Sequence, residues 1–170
     1  MTTKNLTIFR ARNKNGYAIL ELLFYISLFA VFSLAAINAL ITMTRAFKET
    51  AVQGELMRGG VIMERISREI RGAYNISALA AGDLKLDTQE DGENKTVEFL
   101  LSGTDLQFWE NGNLTGNLNS PNISVQSLVF AEIADAKGQA VRVTLGVSAD
   151  NDPEGRSADY YNTVILRGSY

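Results

Sequence analysis

Residues 15–44 read NGYAILELLFYISLFAVFSLAAINALITMT, and from Leu22 to Thr44 there are 23 consecutive residues without Asp, Glu, Lys or Arg. At about 1.5 Å per residue a helix of that length spans roughly 34 Å, against a hydrocarbon core of about 30 Å. A core helix of a soluble protein would show a polar face, and this run offers little beyond Ser27, Ser33, Asn38, Thr42 and the terminal Thr44. The apolar region of a secretory signal is shorter, about 7 to 15 residues, and ends at a small-residue cleavage site. The stretch therefore predicts a membrane-spanning helix. The basic residues before it, and the smaller excess after it, place the N-terminus in the cytoplasm and the rest outside.

One residue inside the apolar stretch does not belong there. Glu21 is flanked by Tyr17-Ala18-Ile19-Leu20 and Leu22-Leu23-Phe24-Tyr25. A carboxylate costs about 2.5 to 3.5 kcal/mol at the middle of a bilayer and less near an end, so an ionisable group in this setting points to a functional site with a partner. Set aside as an alternative, Glu21 lies at headgroup level and favours the positive end of the helix dipole.

Outward from this stretch, the charge is uneven. The chain of 170 residues carries 16 Lys and Arg against 19 Asp and Glu, yet residues 1–16 hold Lys4, Arg10, Arg12 and Lys14 and no acid. Without those four the balance is 12 basic to 19 acidic, a net of −7. So acidic a remainder argues against a nucleic-acid surface, which needs clustered Lys and Arg. There is no Cys and no His, which excludes disulfides, thiol nucleophiles, Ser-His-Asp triads and His- or Cys-ligated zinc. No phosphate loop or Gly-x-Ser-x-Gly occurs either, so the chain is not expected to be an enzyme.

Beyond Thr44 the run grades into Arg45-Ala46-Phe47-Lys48-Glu49 and continues to Arg71 without a proline. Val52, Leu56, Gly59, Met63, Ile66 and Ile70 follow steps of four and three and make one narrow face, as core packing against a sheet requires. Arg58, Glu64, Arg65, Arg68, Glu69 and Arg71 lie largely elsewhere, with acids interleaved among the bases as on a solvated, ion-paired surface. Gly54, Gly59 and Gly60 each weaken a helix by up to about 1 kcal/mol relative to Ala, and are read as points of close approach.

After Gly72 the pattern changes to short runs rich in Val, Ile, Leu, Phe and Tyr between Gly, Asn, Asp and Pro. Strands are expected at residues 84–86, 96–101, 105–109, 123–133, 141–148 and 160–166. Hairpin turns are expected at Asn111-Gly112 and Ala136-Lys137-Gly138. About 100 residues of antiparallel sheet on one amphipathic helix make an α+β head.

The segment Asn15-Gly16-Tyr17-Ala18-Ile19-Leu20-Glu21, after a short basic leader, resembles the processing site of type IV prepilins and type II secretion pseudopilins. The resemblance implies cleavage after Gly16 by a prepilin peptidase, which also N-methylates the new terminal residue, Tyr17. It implies a filament-assembly role for Glu21, the fifth residue after the cut. A new amine on Tyr17 and a carboxylate one turn later share a helix face, and the carboxylate of one subunit can neutralise the amine of its neighbour and set axial register. The family usually has Phe and Thr where Tyr17 and Ala18 stand, and often a helix proline, for which Asn38 stands in the corresponding region. The missing proline favours a straight helix and a minor subunit. Residues 63–71 and 161–167 are similar to segments of the larger, J-type minor pseudopilins, and the order of leader, helix and sheet is similar to the pilin fold.

Some major pseudopilins bind calcium, and two acidic loops offer oxygen ligands. Residues 87–92, followed by Glu98, have nearly an EF-hand spacing, but their flanks read as strands and the segment is taken as a solvated hairpin. Asp150, Asp152, Glu154 and Asp159 gather more ligands, although Tyr161 stands where an EF-hand needs its Glu.

The expected organisation is a cleaved cytoplasmic leader at 1–16, a transmembrane and assembly helix at 17–44, its amphipathic continuation at 45–72, and a β-rich extracytoplasmic head at 73–170. The expected partners are the prepilin peptidase, other pilin or pseudopilin subunits and the assembly platform of the inner membrane. The rival reading is a single-pass anchored module that binds or senses a ligand outside the cell. Glu21 discriminates the two, because an anchor has no use for it.

Overall fold

A computed structural model describes residues 15–90, 92–135 and 138–167. Residues 1–14, which are most of the leader and hold all four of its basic residues, lie outside the described residues. The chain divides between Phe47 and Lys48 into two compact units, and one uninterrupted helix, α1 (Asn15–Gly72), contributes to both.

In the first unit the helix stands uncovered. Its most apolar 18-residue window has a mean hydropathy of 2.2 and none of it is buried, so it is long and apolar enough to cross a membrane. Its hydroxyls are satisfied within the helix: Ser27 Oγ donates to the Phe24 carbonyl at 2.8 Å, Thr42 Oγ1 to Asn38 at 2.9 Å and Thr44 Oγ1 to Leu40 at 2.8 Å. These bonds remove the cost of placing a hydroxyl in hydrocarbon.

The second unit joins the outer part of α1 to eight antiparallel strands. They are β1 (Ala73–Ala80), β2 (Asp83–Glu90), β3 (Glu93–Ser102), β4 (Asp105–Glu110), β5 (Asn113–Asn117), β6 (Ile123–Asp135), β7 (Gly138–Ala149) and β8 (Ser157–Ile165). The single expected sheet is in fact two meanders, β1-β2-β3-β4-β5 and β6-β7-β8. Strands β1 and β5 were not expected. The Ala-rich β1 pairs with β2 through two register shifts, and the polar β5 is held by hairpin geometry. Asn111 and Gly112 take φ of 50° and 76°, the left-handed pair a two-residue type I′ turn demands. Asn111 Oδ1 accepts from the Thr96 amide at 2.9 Å. The Ala136-Lys137-Gly138 turn begins on residues outside those described, and the pair Asp135↔Gly138 closes it.

Alternation along the strands builds the core. Leu84, Leu86, Val97, Phe99 and Leu106 from one sheet meet Val141, Val143, Leu145 and Val147 from the other in a single cluster with Ile62, Met63, Ile66 and Ile70 of the helix. The helix face is the expected one, widened: Val52, Gly59, Met63, Ile66 and Ile70 are buried, and so are Ile62 and Ser67. Each fully buried Ile contributes about 1.5–3 kcal/mol. Ser67 is tolerated because its Oγ accepts from Asn162 Nδ2 at 2.8 Å. The charged flank pairs as expected, Arg65 with Glu69 at 3.0 Å and Arg68 with Glu64 at 4.0 Å. Arg65 also covers the Phe108 ring, 5.0 Å from its centroid.

The helix glycines divide into two kinds. A Cβ at Gly59 would lie 2.9 Å from Val147 Cγ2 and closer still to the Tyr160 ring, whereas at Gly54 it would meet nothing within 4 Å. Close approach therefore explains Gly59 and not Gly54. Gly59→Ala is expected to destabilise the head by about 1–2 kcal/mol, the clash outweighing the gain in helix propensity. Gly54→Ala should instead stabilise it by up to about 1 kcal/mol. Thermal melts of the two variants of the full chain in detergent, shifting in opposite directions, check both.

Candidate functional site

The residues singled out by the sequence fall in the uncovered helix. Gly16 and Tyr17 lie in its first turn, and Tyr17 is 80% exposed. Glu21 follows one turn later and is exposed, its Oε1 accepting a long hydrogen bond of 3.3 Å from the Tyr25 hydroxyl. Tyr17, Glu21 and Tyr25 are spaced by four and so share one face of the helix. From Asn15 to Thr44, Glu21 is the sole charged residue of the sequence. Large apolar side chains surround it on every side, including Leu20 at 68%, Phe24 at 63% and Phe29 at 74% exposure. This surface has neither protein nor solvent suited to it, and it presents one carboxylate.

The acidic loop between β7 and β8 is organised around a cation of the chain itself. Asp152 has a fully buried carboxylate that accepts from Arg156 Nε at 2.8 Å, Arg156 Nη2 at 3.1 Å and the amides of Arg156 and Glu154 at 2.8 and 3.2 Å. Arg156 Nη1 reaches across to Glu49 on the helix. The guanidinium beside Asp152 holds its carboxyl far below the usual carboxylate range, and Glu49 is lowered by Arg156 first and Gln53 second. Asp152 and Glu49 in turn raise Arg156.

Of Asp150, Asp152, Glu154 and Asp159, calcium candidates in a sequence for which no metal is expected, Asp152 and Glu154 face this arginine. Arg156 takes the position at Asp152 that a divalent ion would need, and like charge repels a second cation. Asp150 accepts from Ser124 Oγ at 2.6 Å, and among the described residues no three His, Cys, Asp or Glu side chains are grouped to hold a metal. The other acidic segment is the expected hairpin: Asp87 sits in β2 and accepts from Asn75 Nδ2 at 2.8 Å, and Glu90 pairs with Glu93. Sequence reading missed Arg156, although an Asp four residues before an Arg at the end of an acidic loop is a signal for an internal ion pair.

The sign of the Asp152 shift sets a pH dependence. A carboxyl depressed in the folded state stabilises fully above its unfolded value of about 4, and loses that contribution as pH falls below it toward the folded value. Asp152→Asn should therefore melt below the parent at pH 7, with the gap narrowing from about pH 4 downward. A constant gap between pH 7 and pH 2.5 would overturn the assignment.

Compared with protein-family models, curated proteins and solved structures, the chain finds no match.

Proposed function

We propose that the chain is a prepilin-like subunit, processed after Gly16, held in the cytoplasmic membrane by α1 and assembled through that helix into a type IV pilus-like or type II secretion pseudopilus filament. The observation that carries the reading is Glu21: a carboxylate four residues after Tyr17 on an exposed apolar helix. In a bilayer or a bundle of like helices such a group requires a cation, because an unpaired buried charge costs several kcal/mol. Cleavage after Gly16 would create one, the Tyr17 amine, on every subunit.

Two further observations support it. The apolar length of α1 suits both a bilayer and lateral packing against other helices once it leaves the bilayer, since the same side chains serve both. The α+β layout of one long helix packed on antiparallel sheets is also what a pilin-like fold calls for.

Intact mass and N-terminal sequence of the protein recovered from membranes of a host with a prepilin peptidase test the reading. The expected chain begins at Tyr17, with or without one methyl group. A chain still beginning at Met1 beside a competent peptidase would replace this reading by that of an anchored binding module.

A further inference from the structure

The head has two ends that differ in charge. Residues 156–167 run alongside α1 in the same direction. Arg156 meets Glu49, the Tyr160 hydroxyl donates to the Leu56 carbonyl at 2.7 Å, Asn162 meets Ser67, and Ile165 and Arg167 border a cavity with Arg68 and Arg71. From Glu49 to Arg71 the helix rises about 33 Å, so the first and last of these contacts lie at opposite ends of the head.

At the far end the cavity, of about 410 Å³, is lined by Arg68, Arg71, Gly72, Ile165 and Arg167. Three arginines thus line one hollow together with an exposed Ile165, in a chain whose balance after the leader is strongly acidic. Arg68 has Glu64 at 4.0 Å. Among the described residues neither Arg71 nor Arg167 is in an ion pair. Cations in a last turn gain from the helix dipole, which explains Arg71 and not Arg167, a residue beyond the end of β8. At the near end the loop of residues 150–156 carries three carboxylates against Arg156. Asp152 is consumed by that arginine; Glu154 also lies 3.7 Å from Arg156 Nε but with its side chain 71% exposed, and Asp150, which accepts from Ser124, is exposed as well.

We infer that the Arg68–Arg71–Arg167 cavity is a docking site for the Asp150–Glu154 loop of a second copy of this chain. The inference rests on the filament reading and deepens it by naming a contact between heads. Copies inserted in one membrane point the same way, so basic end can meet acidic end only between copies displaced along the helix axis. Such a contact is heterologous and does not close on itself, and repetition extends it into a filament. A two-fold pairing through the same surfaces would turn one helix upside down relative to the membrane. Opposite charges also steer and fix register more than they add affinity, as a growing polymer requires.

The absence of cysteine allows a direct test in the full chain, in cells that supply a prepilin peptidase and assembly machinery. Glu154→Cys combined with Arg167→Cys is expected to give a ladder of disulfide-linked multimers, and either substitution alone no ladder. Arg71→Glu with Arg167→Glu should reduce sedimentable polymer about tenfold, as should Glu154→Arg with Asp150→Arg, and the chain carrying all four should recover most of it. The variants must keep the parent's melting temperature, which separates contact from folding. If the parent is cut after Gly16 and polymerises but no ladder forms, or the four-fold chain assembles no better than the two-fold ones, the contact is wrong and the filament reading stands. Cross-links from Arg167→Cys to a different protein in place of a copy overturn the homotypic occupant. Absence of both cleavage and polymer overturns the reading and the contact with it.

Discussion

Glu21→Ala is expected to leave the chain in the membrane, still cut after Gly16, and absent from any filament. Insertion should not suffer, because removing a carboxylate from an apolar helix lowers the transfer cost by up to about 3 kcal/mol. Assembly should, because the Tyr17 amine of the neighbouring subunit then enters the helix bundle with no counter-charge. Breaking one partner of a buried pair costs about 3–5 kcal/mol, a loss of assembly on the order of 100-fold or more. Glu21→Gln retains the size and a hydrogen-bonding oxygen but no charge, and should fail nearly as badly. Tyr25→Phe removes a 3.3 Å hydrogen bond to an exposed carboxylate and should assemble within about threefold of the parent. Quantifying the chain in sheared or sedimented filaments against the membrane fraction reads all three. Parent-like assembly of Glu21→Ala would end the register role.

The same residue shows what a sequence can reveal and what it cannot. Glu21 is legible because a bilayer-length apolar run makes any carboxylate conspicuous, and the helix stripe is legible because a spacing of 3.6 is written locally. The stripe read from Val52 to Ile70 was too narrow. Ile62 sits beside Met63 on a face wide enough to touch both sheets, and Ser67 is buried only because Asn162, 95 residues away, donates to it. Strands β1 and β5 escaped because an Ala-rich and an Asn-rich segment have no strand signal of their own. They are strands because β2 and β4 offer edges. The break between the two sheets escaped for a related reason, since nothing in Leu118-Asn119-Ser120-Pro121 distinguishes a hairpin from a crossover. What the acidic loop faces was not legible, because carboxylate spacing alone does not say which cation the groups meet, and for Asp152 it is Arg156.

Asn119 is the residue that makes that crossover, and Asn119→Ala should cost the head about 3 kcal/mol, lowering its melting temperature by roughly 10 °C. Its side chain is 8% exposed and is bonded on both sides of the junction. Oδ1 accepts from the Leu106 amide at the start of β4 at 2.9 Å, and Nδ2 donates to the Ile123 carbonyl at the start of β6 at 2.7 Å and to Asp105 Oδ1 at 3.1 Å. The amide orientation is dictated by these partners, because an N–H needs the oxygen and a carbonyl needs the nitrogen. Alanine leaves the buried Leu106 donor and Ile123 acceptor without partners, each at about 1–3 kcal/mol. Asn119→Asp separates bonding from shape. It keeps the oxygen for Leu106 but sets a second carboxylate against Asp105 and the Ile123 carbonyl, where burial and like charge raise its pKa in the folded state. A raised folded value means that stability falls as pH rises from about 4 through it. Asn119→Asp should therefore melt below Asn119→Ala at pH 7 and overtake it in mild acid. An Ala variant that melts with the parent would show that β4 and β6 are joined by packing alone.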